Sequence, residues 1–419
     1  MQKKLLLAGL LMMAVSAHAD DQQQTVSDAP AVPVPESAGL SPENVVGIKL
    51  APGLRALAGV GLESIYNSNF YLQQQNPQHV FGFVMTPDVL LVGERKQLRY
   101  QLGVGLEGAK YTHVSIGPST YLDANVNGNY QWEAATRHHF SGDAKSLYGH
   151  DPFGSFRTEN NIPVGEGLDK WIDNSGHLRY RYGASDATIN LESEVGAEVR
   201  HYLTNEQFTQ FLNYRILSAR ETGFYNLSSK TALLAEVVHT QEIFYKQAPG
   251  TPSLDGNDNA IRAGVHWQAT SKTNGDIRIG QFRHNSEDPT LPQVHAIDWA
   301  ATVSWAPLVY SVITLQTGNL EQPSYLSSVS YIENRYATLN WVHDWSSAFR
   351  TRTNATHINT EFIGTSRLDH INTFGLEADL RASQRWYWLA GASYSRRSSN
   401  LAGLDYNDAT AFLGLRYQR

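Results

Sequence analysis

The sequence predicts a single transmembrane antiparallel up-and-down β-barrel. Three observations carry that prediction. Segments of ~10–15 residues alternate apolar and polar side chains, the links between them alternate short and long, and no run approaches the ~18–20 apolar residues of a membrane helix. A mean hydropathy of -0.37 fits the same fold. In a barrel only every second residue must face lipid, and the closed sheet satisfies the backbone.

The N-terminus reads as a Sec signal peptide over residues 1–19. Lys3 and Lys4 form the positive region, Leu5 to Val15 the apolar stretch, and Ala17-His18-Ala19 the small-residue cleavage site. Residues 20–44 contain Gln22-Gln23-Gln24 and then Pro30, Pro33, Pro35 and Pro42, so they read as an extended Pro/Gln-rich periplasmic tail. Residues 45–419 are assigned to the barrel.

Within it the alternation predicts about eighteen strands, in a range of roughly sixteen to twenty. The first nine centre near Ala58, Phe83, Leu102, Val126, Phe140, Tyr180, Val195, Leu212 and Ala235. The second nine centre near Val265, Ile279, Ala301, Val312, Leu339, Thr351, Leu376, Ala390 and Leu413. Faces are clearest at the C-terminal end. Ala409, Ala411, Leu413, Leu415 and Tyr417 share one side of the last strand, and Thr410, Phe412, Gly414 and Arg416 share the other.

Short turns are expected at 94–96, 184–185, 227–230, 271–275, 306–307, 346–347 and 382–384. Long links are expected at 67–77, 150–174, 246–257, 286–293, 318–329 and 397–404. With the N-terminus in the periplasm, the short turns fall on the periplasmic side and the long links outside. Pro87 interrupts one strand and is expected at a bulge or rim, because a closed barrel has no free edge for its missing donor. Thr204-Asn205-Glu206 stands where the scheme requires a long loop.

The chain holds no cysteine, so disulfides and thiolate sites are excluded. A net charge of -7 gives no basic stripe for nucleic acid. The chemical content lies in charges on the polar faces. Arg179 and Arg181 alternate with Leu178, Tyr180 and Tyr182; Glu192, Glu194, Glu198 and Arg200 alternate with Leu191, Val195, Ala197 and Val199. Arg262, Arg278, Asp298, Arg350, Arg352, Glu377, Asp379, Arg381 and Arg416 follow the same parity. These fifteen residues are the candidates for lining a water-filled lumen, where guanidinium groups can engage carboxylates in a planar fork.

No metal site or cofactor is expected. Asp255-Gly256-Asn257-Asp258-Asn259 begins like a calcium loop, but Ala260 and His266 stand where glycine and bidentate Glu are needed, and a polar loop is expected instead. His138-His139 with Asp143 and His150 lacks a ligand spacing. His343-Asp344 beside Ser346 and Ser347 makes no triad, since neighbours in a strand face opposite ways, so no enzyme is expected and no catalytic residue is assigned.

Several segments then carry a family resemblance. They begin with Tyr66-Asn67-Ser68-Asn69-Phe70 and Tyr182-Gly183-Ala184, and continue with Gly264-Val265-His266-Trp267, Ala269 to Thr273 and Ser304-Trp305-Ala306-Pro307. Trp341-x-His343-x-Trp345, Arg367-Leu368-Asp369, Arg385-Trp386, Tyr394-x-Arg396-Arg397-Ser398-Ser399-Asn400 and Asp405-Tyr406 complete the set. In this order they resemble the putative β-barrel porin family of outer-membrane proteins associated with exopolysaccharide and capsule operons. Asn67 replaces that family's usual Asp, and the chain ends in Tyr417-Gln418-Arg419 without a terminal aromatic.

The resemblance implies a Gram-negative outer-membrane pore accessory to polysaccharide export. Its partners would be outer-membrane lipid, polysaccharide, periplasmic export proteins and the barrel-assembly machinery. The polar lumen alone equally suits a general diffusion or nutrient porin.

Overall fold

The computed structural model describes residues 47–115, 117–151, 167–184, 187–270, 272–323, 329 and 331–419. The expected signal peptide and tail lie outside them. After a short strand β1 (Ile48–Ala51), the chain forms β2 (Leu54–Asn67), β3 (Val80–Arg95), β4 (Leu98–Thr112), β5 (Thr120–Ala135), β6 (His138–His150), β7 (Lys170–Tyr182) and β8 (Ile189–Tyr202). A helical turn, α1 (Glu206–Thr209), precedes β9 (Tyr214–Ser228), β10 (Thr231–Phe244), β11 (Gly256–Thr270), β12 (Thr273–Ser286), β13 (Val294–Leu308) and β14 (Ser311–Pro323). The series ends with β15 (Tyr331–Asp344), β16 (Phe349–Ile363), β17 (Leu368–Arg381), β18 (Trp386–Ser399) and β19 (Tyr406–Gln418).

Each strand from β2 to β19 pairs antiparallel with the next, and β19 pairs back onto β2, so eighteen strands close into a barrel. β1 caps the end of β2 that extends beyond β19, pairing Ile48 with Ala56 and Lys49 with Arg55. Barrel strands are 13 to 16 residues long. A tilted membrane strand needs ~9–11 residues, so the strand ends project past the hydrocarbon.

Side-chain parity divides the wall as expected. Ile261, Ile279 and Ile297 are 66%, 60% and 65% exposed on three neighbouring strands, an apolar outer surface suited to lipid. Trp132, Trp305, Tyr310, Trp341, Trp345, Trp386 and Trp388 are exposed toward the short-turn rim. This is the aromatic girdle of an interface, where amphipathic rings sit between lipid and water.

Seventeen of the eighteen expected strand centres fall within strands; Leu212 does not. It closes a 3-10 turn, Gln210–Leu212, because Asn205 takes a left-handed conformation (φ 55°) and its carbonyl accepts the Phe208 and Thr209 amides. The link 203–213 is therefore the long loop that the alternation required.

Three local expectations are corrected. Pro87 sits within β3 with unchanged register on both sides, Met85 opposite Gly108 and Asp88 opposite Gly105, so the strand tolerates the missing donor without a bulge or a rim position. Ala306 and Pro307 belong to the end of β13, where the register jumps between Trp305 and Leu308, and the turn itself is Val309-Tyr310. Gly256 to Asn259 open β11 rather than forming a loop, because Asp255 accepts the Phe244 amide and ends the link one residue earlier.

The barrel closes on a latch. Asn67 Nδ2 donates to Asp408 Oδ2 at 3.1 Å, and Asp408 Oδ1 accepts the Asn69 amide at 2.9 Å and the Ser68 hydroxyl at 3.1 Å. The Tyr66-to-Phe70 segment thus ties the first barrel strand to the last at the long-loop rim.

Candidate functional site

The polar inner wall is organised as a connected ionic belt across β7 to β13. Cross-strand register places Arg179 opposite Glu194, and Glu194 opposite Arg220. Arg179 Nε donates to Glu194 Oε2 at 2.8 Å, and Glu192 Oε1 lies 3.9 Å away. Arg220 then bridges Glu194 at 3.6 Å and Glu236 at 3.8 Å. Glu236 is the hub, 1% exposed: it accepts Arg262 Nη1 at 3.0 Å, Arg278 Nη1 and the Thr222 hydroxyl at 3.2 Å. Arg262 Nε continues to Asp298 at 2.6 Å, and Arg278 Nε to Asp276 at 2.7 Å.

Two of these reaches cross an intervening strand, and each passes over a glycine. Gly280 lies between Arg262 and Asp298, and Gly264 lies opposite Arg278 on the strand separating it from Glu236. A Cβ on Gly280 would stand 1.9 Å from the Ile261 carbonyl and 2.7 Å from Arg262 Cα. The bare backbone lets a guanidinium reach an acid two strands away.

The sequence-derived residues fall into separate groups. Arg179, Glu192, Glu194, Arg262, Arg278 and Asp298 belong to the belt. Arg181 lies over the Phe224 ring at 5.4 Å, and Glu198 accepts the Tyr214 hydroxyl at 2.5 Å. Arg200 donates to Asp173 at 2.8 Å while covering Trp171 at 4.6 Å.

A second cluster lies toward the short-turn rim of β15 to β17. There Arg350 binds Asp344 at 2.5 Å, and Arg352 meets Asp379 at 2.5 Å and Glu377 at 3.6 Å. Arg381 stands opposite Tyr387 in register and is half-buried. Arg416 reaches across β2 to Asp88 at 2.7 Å, over Gly59 and Gly61. Sequence reasoning missed Arg220, Glu236 and Asp276. Their inward parity was available, but the register that makes Glu236 a hub was not.

His138, His139, Asp143 and His150 do not converge as ligands. His150 binds Asp123 at 2.9 Å, His177 binds Asp143 at 3.0 Å, and His139 binds Glu133. Ser346 accepts the Ala348 and Phe349 amides at 3.1 Å each, so it caps a turn, and Asp344 turns to Arg350. One group does converge near the long-loop rim: ligand atoms of Glu242, Asp258 and His284 lie within 4.8 Å of one another.

At that rim Asp151 accepts Trp171 Nε1 at 2.9 Å and the Tyr202 hydroxyl at 3.0 Å, and its amide donates to the Asp169 carbonyl at 2.9 Å. Burial pushes its carboxyl above the ordinary range; Arg200 opposes the shift, Asp169 adds to it, and the two hydrogen bonds oppose it.

Comparison with known proteins agrees with this architecture. The family model described as "Putative beta-barrel porin 2" matches residues 209–419, half of the chain. The chain belongs to this family. Among curated proteins it has no match. Solved structures with a similar fold include OccK2 (OpdF) of Pseudomonas aeruginosa, 9% identical, covering 88% of this chain and 98% of that one with a TM-score of 0.46. The FrpB iron transporter of Neisseria meningitidis is 9% identical, covering 86% and 81% with a TM-score of 0.44. The family and the closed barrel make this an outer-membrane β-barrel of porin-like fold.

Proposed function

We propose that this barrel is a non-enzymatic conduit of the Gram-negative outer membrane, accessory to the export of exopolysaccharide or capsule. The observation that supports the reading best is the ionic belt. Because these charges are buried and paired with one another, they hold a passing polar polymer only weakly, and screening over ~8–10 Å blurs their field. Operon-type association enters through the ordered motifs that resemble the family. On this reading the chain is exported by its cleaved signal peptide, and periplasmic export proteins meet the Pro-rich tail and the short-turn rim.

Secretion in a deletion strain tests it. Under conditions where the gene is expressed, loss of surface polysaccharide is the expected result, and unchanged amount and location would refute export. Steady conductance together with growth that depends on a small solute would instead establish a diffusion or nutrient porin.

A further inference from the structure

We propose that Glu242, Asp258 and His284 form a binding site for one divalent first-row transition-metal ion at the long-loop rim. The site is independent of what the barrel carries. Asp258 and His284 face each other in register on β11 and β12, and their side chains meet at 2.6 Å between Oδ1 and Nδ1. Glu242 on β10 sits diagonal to Asp258, two residues beyond its register partner Thr240. Diagonal cross-strand neighbours on one face are within reach of long side chains.

The second observation is independent of the clustering. Glu242 is 4% exposed, and among the described residues its Oε2 has no hydrogen-bond partner although it is buried. A buried carboxylate oxygen facing a second carboxylate lacks the cation or donor that its burial demands. Ala260, Phe282 and Val294 form an apolar cluster with Tyr331, whose ring stacks on His284 with centroids 4.6 Å apart. That stacking holds the imidazole plane in place. Asp258 already meets His284, so the oxygen left without a partner is that of Glu242, and a dication shared by the two acids answers it at one point.

The donor set selects the class of ion. One imidazole with two carboxylates suits Zn²⁺ or a neighbouring first-row dication, whereas Mg²⁺ and Ca²⁺ take oxygen sets. Ligand atoms gathered within 4.8 Å need only side-chain adjustment to meet one Zn²⁺ at ~2.0–2.2 Å, with water completing the shell. Bound there, the ion ties β10, β11 and β12 together.

The test uses the full chain folded in detergent, stripped with chelator and titrated with Zn²⁺ by calorimetry, with X-ray absorption at the zinc edge. One equivalent bound through a nitrogen and oxygen shell containing one imidazole is the expected result. His284→Ala and Glu242→Gln should each weaken binding at least tenfold while heat-modifiability is retained, and Asp258→Asn, nearly isosteric, provides the same test if either misfolds. His357→Ala, on the exposed His357–His370 pair, should change nothing. The site is disproved if the wild type binds no zinc, which would leave the two carboxyls sharing a proton, or if binding survives all three triad variants.

Discussion

At the scale of single residues, parity decides the environment. Leu339 is 47% exposed in mid-strand, while its neighbour Thr338 turns inward to meet the Thr356 hydroxyl at 3.1 Å. Leu339→Arg places a charge in hydrocarbon at a cost of about 2–4 kcal/mol. Thr338→Arg places it in the polar interior. Urea titration of the two refolded variants should show the first far less stable; equal midpoints would mean that the faces of β15 are reversed.

Glycine acts at the same scale by leaving space. Gly280→Val would push a side chain into the Ile261 carbonyl and the path of Arg262, costing about 1–3 kcal/mol as overpacking. A midpoint unchanged in that variant would remove the spacing role.

At the scale of elements, pairs of strands act through their register. Glu236→Gln removes the charge that Arg220, Arg262 and Arg278 share, and breaking a buried pair on one side costs about 3–5 kcal/mol. The expected result is a barrel that melts earlier and loses its heat-modifiable form at lower urea.

The seam provides a second case. Asn67→Asp would set a carboxylate against Asp408 in place of a donor, and the like charges should loosen β2 from β19. Amide exchange at Ala409, whose carbonyl accepts the Ser68 amide and whose own amide donates to the Ser68 hydroxyl, should accelerate. Unaltered protection there would show that the latch carries no stability.

Asp151 gives the rim its pH dependence. Its folded pKa lies above the unfolded value, so its contribution is fully present below the unfolded pKa and is lost as pH rises through the folded one. Relative to Asp151→Asn, the wild type should therefore lose stability as pH rises from below the ordinary carboxylate pKa to above the raised one. A difference in midpoints that is flat with pH would contradict the assigned burial.

At the scale of the whole molecule, what was legible in the sequence is what has a local cause. Two-residue alternation is written in each strand, so the face of Leu413 or Arg278 could be read without its neighbours. The belt could not, because Arg220 meets Glu194 only through the length of the 203–213 link, and Phe208 to Leu212 has the apolar content of a strand while folding as helical turns. The same limit hid the Glu242, Asp258 and His284 group, which lies on three strands with no spacing motif. In sequence, Asp258 sits in a polar stretch with the composition of a loop. Closure by β19 onto β2 likewise joins residues more than 300 positions apart, and nothing short of the barrel brings Asn67 to Asp408.

The central claim is that the inner face bounds a water-filled path. Because the chain has no cysteine of its own, single cysteines report without background. Thr338→Cys and Leu339→Cys, reconstituted in planar bilayers and treated with a charged membrane-impermeant thiol reagent, test the claim most directly. The account predicts stepwise conductance in both, reduced by the reagent in Thr338→Cys and unaffected in Leu339→Cys. Absence of conductance, or equal modification at the two positions, would contradict it.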